Sequence, residues 1–205
     1  MALRTPPSWL QNGSHPAEND RLTTQALWKT TGIINATDLA ITQSSPTGMS
    51  VLAASGWAAI VGTTQANMGT YMAYNDASTV LTVTTANPSN PRIDIVVITV
   101  SDAYYTGSLN TVALNVIAGT PAASPVAPST PANSILLATI AVAAATTAIT
   151  NANITDNRVL ATSSISSLPS QTGNAGLFLT TNGSVASWGA VNLASIETEI
   201  FMGAY

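Results

Sequence analysis

Between residues 93 and 100 nearly every position is apolar. In an extended chain Ile93, Ile95 and Val97 fall on one side and Val96, Ile98 and Val100 on the other, which predicts a strand buried on both faces at the centre of a sheet. Val112, Leu114 and Val116 then alternate with Ala113, Asn115 and Ile117, predicting a neighbouring strand with a partly buried second face and a turn at residues 106–108 between the two. Residues 119–131 hold four prolines among small side chains, an extended connection that implies a crossing over one edge before the chain returns as a strand over 134–142. Earlier, the segments 38–42, 50–54, 58–61 and 69–74 are short, β-branched or aromatic, and separated by Gly, Pro and Asn, which is the pattern of short strands. Residues 18–29 stand apart: Leu22, Ala26 and Lys29 recur at helical spacing behind Asp20, which predicts a short helix capped by that Asp.

After residue 161 the pattern changes. Residues 162–171 are Ser-rich with one Pro, so the expected division is a β-rich domain over 1–161 and a separate module over 162–205. Within the module, residues 177–181 and 184–188 flank Asn182-Gly183, a pair suited to the two positive φ angles of a type I′ turn, so a β-hairpin is predicted. An isolated hairpin is marginally stable and requires a partner. Leu193, Ile196 and Ile200 lie three and four apart with Glu197 and Glu199 off the seam, a fragment of helical stalk that points to three-fold self-association. These three residues and Trp188 are the candidate subunit-interface positions. The expected fold class is mainly β: a compact β-rich domain with a short N-terminal helix, followed by a hairpin and a short helical stalk segment.

Composition narrows the function. The apolar fraction of 46% supports a core, while only 7% of the residues are charged, so Ser, Thr, Asn, Gln and Ala must cover much of the exterior. A net charge of −4 on such a surface suits a protein packed among neighbours. Five Lys and Arg, spread without a cluster, exclude a run of phosphate contacts or attraction to anionic lipid, so neither nucleic acid nor membrane insertion is expected. Residues 135–149 are too short and too rich in Thr for a membrane span. Cysteine is absent, which removes disulfides, thiolate metal sites and cysteine nucleophiles. The start of the chain lacks an apolar run of signal-peptide length, so synthesis and retention in the cytoplasm are expected.

Candidate chemistry is sparse. His15 near Glu18 and Asp20 is the one imidazole, and a metal normally takes three or four ligands, so a solvated or capping role is the better reading. The hydroxyls have no neighbouring base, and Asp38, Asp76, Asp94, Asp102 and Asp156 show no pairing in sequence of the kind glycoside cleavage needs. No catalytic, metal or cofactor site is assigned, and the chain is read as a non-enzyme. Arg92 and Asp94 share one strand face and suggest a partly buried ion pair; Asp156 and Arg158 repeat the spacing, and the four suggest one structural network joining the return strand to the central one. Trp9, Trp28, Trp57 and Trp188, with Tyr71, Tyr74, Tyr104 and Tyr105, are read as core or subunit-interface anchors, with stacking on sugars the alternative.

Five short motifs occur in order: His15-Pro16-Ala17-Glu18-Asn19-Asp20-Arg21, Asn90-Pro91-Arg92-Ile93-Asp94-Ile95-Val96-Val97, Gly119-Thr120-Pro121-Ala122-Ala123-Ser124-Pro125, Leu136-Leu137-Ala138, and Ile154-Thr155-Asp156-Asn157-Arg158. In these the chain resembles minor tail and tail-tip proteins of long-tailed bacteriophages, especially those of actinobacterial hosts. Residues 168–176, leading to residues 179–183 and Trp188, are similar to a linker of phage fibre proteins. The resemblance implies a virion protein of the distal tail, a symmetric and preferably trimeric baseplate or fibre-adaptor subunit that joins other tail proteins to a receptor-binding element. Fibre proteins with this linker continue into shafts or heads, whereas this sequence stops at Tyr205, so the expectation is a short adaptor or a head on another polypeptide. A carbohydrate-binding module for host cell-surface glycan is the alternative.

Overall fold

A computed structural model of the chain describes residues 16–105, 109–164, 171–181 and 186–190. Among the described residues the protein is mainly β, with antiparallel sheets and one short α-helix near the start. It divides into two compact units, Met1–Ser164 and Ile165–Tyr205.

The helix, α1 (Ala17–Leu27), begins at Pro16, whose fixed φ suits a helix entrance, and not at Asp20. Asp20 instead lies in the first turn, where a carboxylate is favoured by the exposed N–H groups. Trp28 is extended and ends the helix, which leaves Lys29 outside it. Two three-stranded sheets follow. β1 (Gly32–Ile33), β4 (Gly56–Val61) and β5 (Thr70–Asn75) form one in the order β1-β4-β5; β2 (Ile41–Gln43), β3 (Ser50–Ala53) and β6 (Thr79–Thr82) form the other in the order β2-β3-β6. Residues 38–40, expected as strand, are not: Leu39 takes a φ of 53° and is wholly buried, so the chain turns there to insert its side chain before β2 begins. β1, with two residues, is too short for alternation to announce it, and β6 is a further strand beyond those expected.

The main sheet has the order β10-β9-β7-β8, built from β7 (Arg92–Ser101), β8 (Thr111–Ile117), β9 (Ser134–Val142) and β10 (Ile154–Asp156). β7 is an inner strand and buries both faces: Val96, Ile98 and Val100 join the core, and Ile95 and Val97 are buried on the other side. Its register with β9 shifts between Val96 and Val97, from Val96 opposite Ala138 to Val97 opposite Leu136. The extra residue, Leu137, is fully buried in the core, as a bulge permits. β8 and β9 flank β7 on opposite sides and both run antiparallel to it. The proline-rich connection therefore spans β7 rather than rounding an edge. Pro125 shares a cleft with Ile93 and Ala141, and Ala122 N–H donates to Pro91 O.

One core joins the three sheets of this unit, with Ile33, Ile60 and Ala73 from the first, Val51, Ala53 and Leu81 from the second, and Val96, Ile98, Ile135 and Ile140 from the third. Each large aliphatic side chain so buried contributes about 1.5–3 kcal/mol. The first unit ends at Ser164, within the Ser-rich stretch 162–171, and its last residues are held where Thr162 O accepts from Lys29 N–H and Ser164 N–H donates to Leu27 O.

In the second unit β11 (Phe178–Thr181) pairs antiparallel with β12 (Ala186–Gly189). The register sets Thr181 opposite Ala186, whereas Asn182-Gly183 as the two central turn residues would set Thr181 opposite Ser184. The hairpin is therefore offset from the expected one. Asn182 and Gly183, the turn expected at 106–108, and the stalk residues Leu193, Ile196 and Ile200 lie outside the described residues.

Candidate functional site

An exposed aromatic pair lies on β4 and β5. Trp57 and Tyr74 are cross-strand partners, so their side chains leave the same face of the sheet side by side. Their rings stack with centroids 4.2 Å apart and planes inclined by 24°. The pair is 41% and 52% exposed, and Met72, opposite Ala59 in the next pair on that face, is 38% exposed. The other face of the same strands supplies Ala58, Ile60 and Ala73 to the core. Alternation thus produces an apolar platform of three large side chains backed by a rigid sheet.

A second cluster surrounds Arg21. From α1 its Nε donates to Met68 O at 2.8 Å, one Nη donates to the Tyr105 hydroxyl at 3.0 Å, and the other lies 3.8 Å from Asp102 Oδ2. The guanidinium also sits over the rings of Tyr71 and Tyr105, 5.0 and 5.4 Å from their centroids. Tyr71 donates to Asp102 Oδ2 at 2.8 Å, and burial, followed by this hydrogen bond, pushes its hydroxyl far above the ordinary tyrosine range. Pro16, Ala17, Glu18, Arg21, Asp102 and Tyr104 line an open cleft of about 350 Å³ beside it. Arg21 directs its donors into the protein, so the cluster attaches α1 to β5 and to the chain after β7. No signal in the sequence links residues so far apart.

Arg92 and Asp94 form a buried ion pair, Arg92 4% and Asp94 0% exposed, with Nε to Oδ1 at 2.8 Å and Nη2 to Oδ2 at 3.1 Å. Asp94 also accepts from Gly119 N–H at 2.9 Å, and Arg92 donates to the carbonyls of Thr84 and Thr85. Arg158 makes the same bidentate contact with Asp156, at 2.9 and 2.7 Å, and donates to the carbonyls of Ala36 and Asp38. The hydrogen bond from Arg158 holds the Asp156 carboxyl below the usual carboxylate range. The expected single network is corrected: each arginine binds its own carboxylate and a different loop, and among the described residues the two pairs share no hydrogen bond. The reason is reach. Asp156 ends the outer strand β10, with β9 between it and β7.

The other expected positions separate. Asp38 accepts from Asn35 and shares Arg158 with Asp156 through its main-chain carbonyl, while Asp76 follows β5 on the surface. Trp28 and Trp188 are half-buried, the latter opposite Leu179 in the hairpin. Tyr104 is exposed and meets Tyr105 edge to face at 5.0 Å. His15, Trp9, Leu193, Ile196 and Ile200 lie outside the described residues. Among the described residues no group of three or more His, Cys, Asp or Glu could hold a metal ion, and no helix is long and apolar enough to cross a membrane. No family model, curated protein or solved structure matches the chain.

Proposed function

We propose that this protein is a structural subunit of a bacteriophage distal tail, a tail-tip, baseplate or fibre-adaptor component that assembles in symmetric copies, with a trimer favoured. It is made in the host cytoplasm and resides in the virion, where its contacts are other copies of itself and neighbouring tail proteins. No catalytic step is assigned to it. The observation that carries the reading is the joint one of sequence and surface. An ordered series of short motifs resembling those of tail proteins lies on a chain with 7% charged residues, and the fold leaves Trp57, Met72 and Tyr74 exposed together. Aromatic and Met side chains on a rigid, weakly charged face suit a subunit interface. Immunogold labelling of virions tests this: label is expected at the distal end of the tail, and label on heads, or particles lacking the protein, overturns it.

The stacked Trp57–Tyr74 pair favours one further reading, a platform for host cell-surface glycan, because a sugar ring can lie on an exposed aromatic face. A glycan array separates the two. The structural subunit retains no sugar, whereas retention that disappears in Trp57→Ala supports the glycan platform.

A further inference from the structure

We infer that the outer edge of β8 is a site of strand addition and that its occupant is β8 of a second copy, running antiparallel about a two-fold axis at Leu114. Two contacts of β7 fix the backbone directions that expose this edge. Val100 N–H donates to Asn133 O, on the side of β9, and the Ile93 carbonyl oxygen lies against Gly119, on the side of β8. Backbone groups alternate sides along a strand, so the odd-numbered residues of β7 serve β8. Their partners Thr111, Ala113, Asn115 and Ile117 turn their N–H and C=O groups inward. Val112, Leu114 and Val116 therefore turn theirs away from the sheet, in which β8 is the last strand. Among the described residues none takes these groups in a hydrogen bond.

A row of backbone donors and acceptors at strand spacing is met in full by another extended chain. This edge also lacks the charges and prolines that ordinarily guard one: residues 103–118 contain no Lys, Arg, Asp, Glu or Pro, and Leu109 and Val112 are 60% and 49% exposed. The opposite edge of the sheet differs, since β10 is short and ends at Asp156 with its Arg158 partner. Self-complementarity selects a second copy. With the axis at Leu114, Val112 comes opposite the second copy's Val116 and Leu114 opposite its own equivalent, so each outward residue exchanges a pair of hydrogen bonds with the other strand. An axis at Ala113 or Asn115 leaves one of these residues without a partner in β8. The same three side chains lie opposite Val100, Ile98 and Val96, with Leu114 and Val116 packed against the core, so the pairing prolongs an apolar row across the axis. Two chains that each carry a net charge of −4 meet here through neutral segments. The contact uses neither the Trp57 face nor residues 193–200, and it stands independently of the virion reading.

The chain has no cysteine, so introduced thiols report the register directly. With the axis at Leu114, Ala113 faces the second copy's Asn115 in a non-hydrogen-bonded pair, with Cα atoms about 4.5 Å apart and within disulfide reach. Under copper phenanthroline oxidation the full chain with Ala113→Cys and Asn115→Cys is expected to form a disulfide-linked dimer about tenfold faster than the chain with Thr111→Cys and Asn115→Cys, whose thiols are out of register. Adding Val112→Pro removes an outward N–H that β7 does not use, and adding Val112→Lys puts a charge on the edge. Each is expected to slow the linkage about tenfold with the far-ultraviolet circular dichroism unchanged, and the Lys variant decides if the Pro variant perturbs the fold. Equal rates for the two cysteine pairs, no dimer at all, or a dimer indifferent to Val112→Lys overturns the second copy as occupant of this edge.

Discussion

Two ion pairs of identical spacing differ in what surrounds them, and that difference sets their worth. Asp94→Ala leaves the Arg92 charge buried and without its carboxylate, at an expected cost of about 3–5 kcal/mol, read as a lower denaturant midpoint. Replacing both partners by apolar residues is expected to recover much of it. Asp156 is 60% exposed, and Asp156→Asn should cost about 1 kcal/mol or less. Its carboxyl pKa is lowered in the folded state, so its contribution is present above the ordinary carboxylate range and is lost as pH falls below about 4. The acid limb of a stability-against-pH curve should therefore flatten in Asp156→Asn. Tyr71 works in the opposite sense. Its folded pKa is raised, so the folded state keeps a proton that the unfolded chain releases above about pH 10, and stability falls as pH rises past that point. Tyr71→Phe should flatten the alkaline limb and cost about 1 kcal/mol at neutral pH for the lost hydrogen bond to Asp102. The i, i+2 spacing made both ion pairs legible in the sequence. The Arg21 cluster was not legible, because Arg21, Tyr71 and Asp102 meet only through the packing of α1 against β5 and the end of β7.

Among the elements, the continuous apolar run made β7 the most legible, since burial on both faces requires neighbours on both edges. Its partner β9 was legible as a strand, but the bulge at Leu137 was not, because nothing in residues 134–142 shows where the register slips. The proline-rich connection, for which the sequence implies an edge crossing, instead spans β7, since β8 and β9 lie on opposite sides of it. Asp94 and Gly119 fix the start of that crossing, and a Cβ at 119 would run into Ile93 O. Gly119→Ala is accordingly expected to cost about 1–3 kcal/mol, measured by chemical denaturation, through displacement of the connection from β7.

At the scale of the whole molecule, the low proportion of charged residues and the exposed Trp57, Met72 and Tyr74 bear on assembly. The proposed symmetric subunit predicts an oligomer, with three copies favoured, by multi-angle light scattering at micromolar concentration. The three-and-four spacing of Leu193, Ile196 and Ile200 predicts that Ile196→Asp weakens it. A monomer at that concentration would remove the three-fold expectation, while an oligomer indifferent to Ile196→Asp but broken by Trp57→Ser would move the interface to β4 and β5.

By itself the sequence determined the class of fold, its one long buried strand and the spacing that makes each Arg–Asp pair, because alternation and i, i+2 geometry are local properties of an extended chain. Tertiary structure decided the rest. Only the pairing of β4 with β5 brings Trp57 onto Tyr74, only the packing of α1 collects Tyr71, Asp102 and Tyr105 around Arg21, and only the order of β8, β7 and β9 sends the proline-rich segment across a strand. Each of these depends on contacts between residues distant in the chain, and the pattern along one segment carries no record of which other segment will lie beside it.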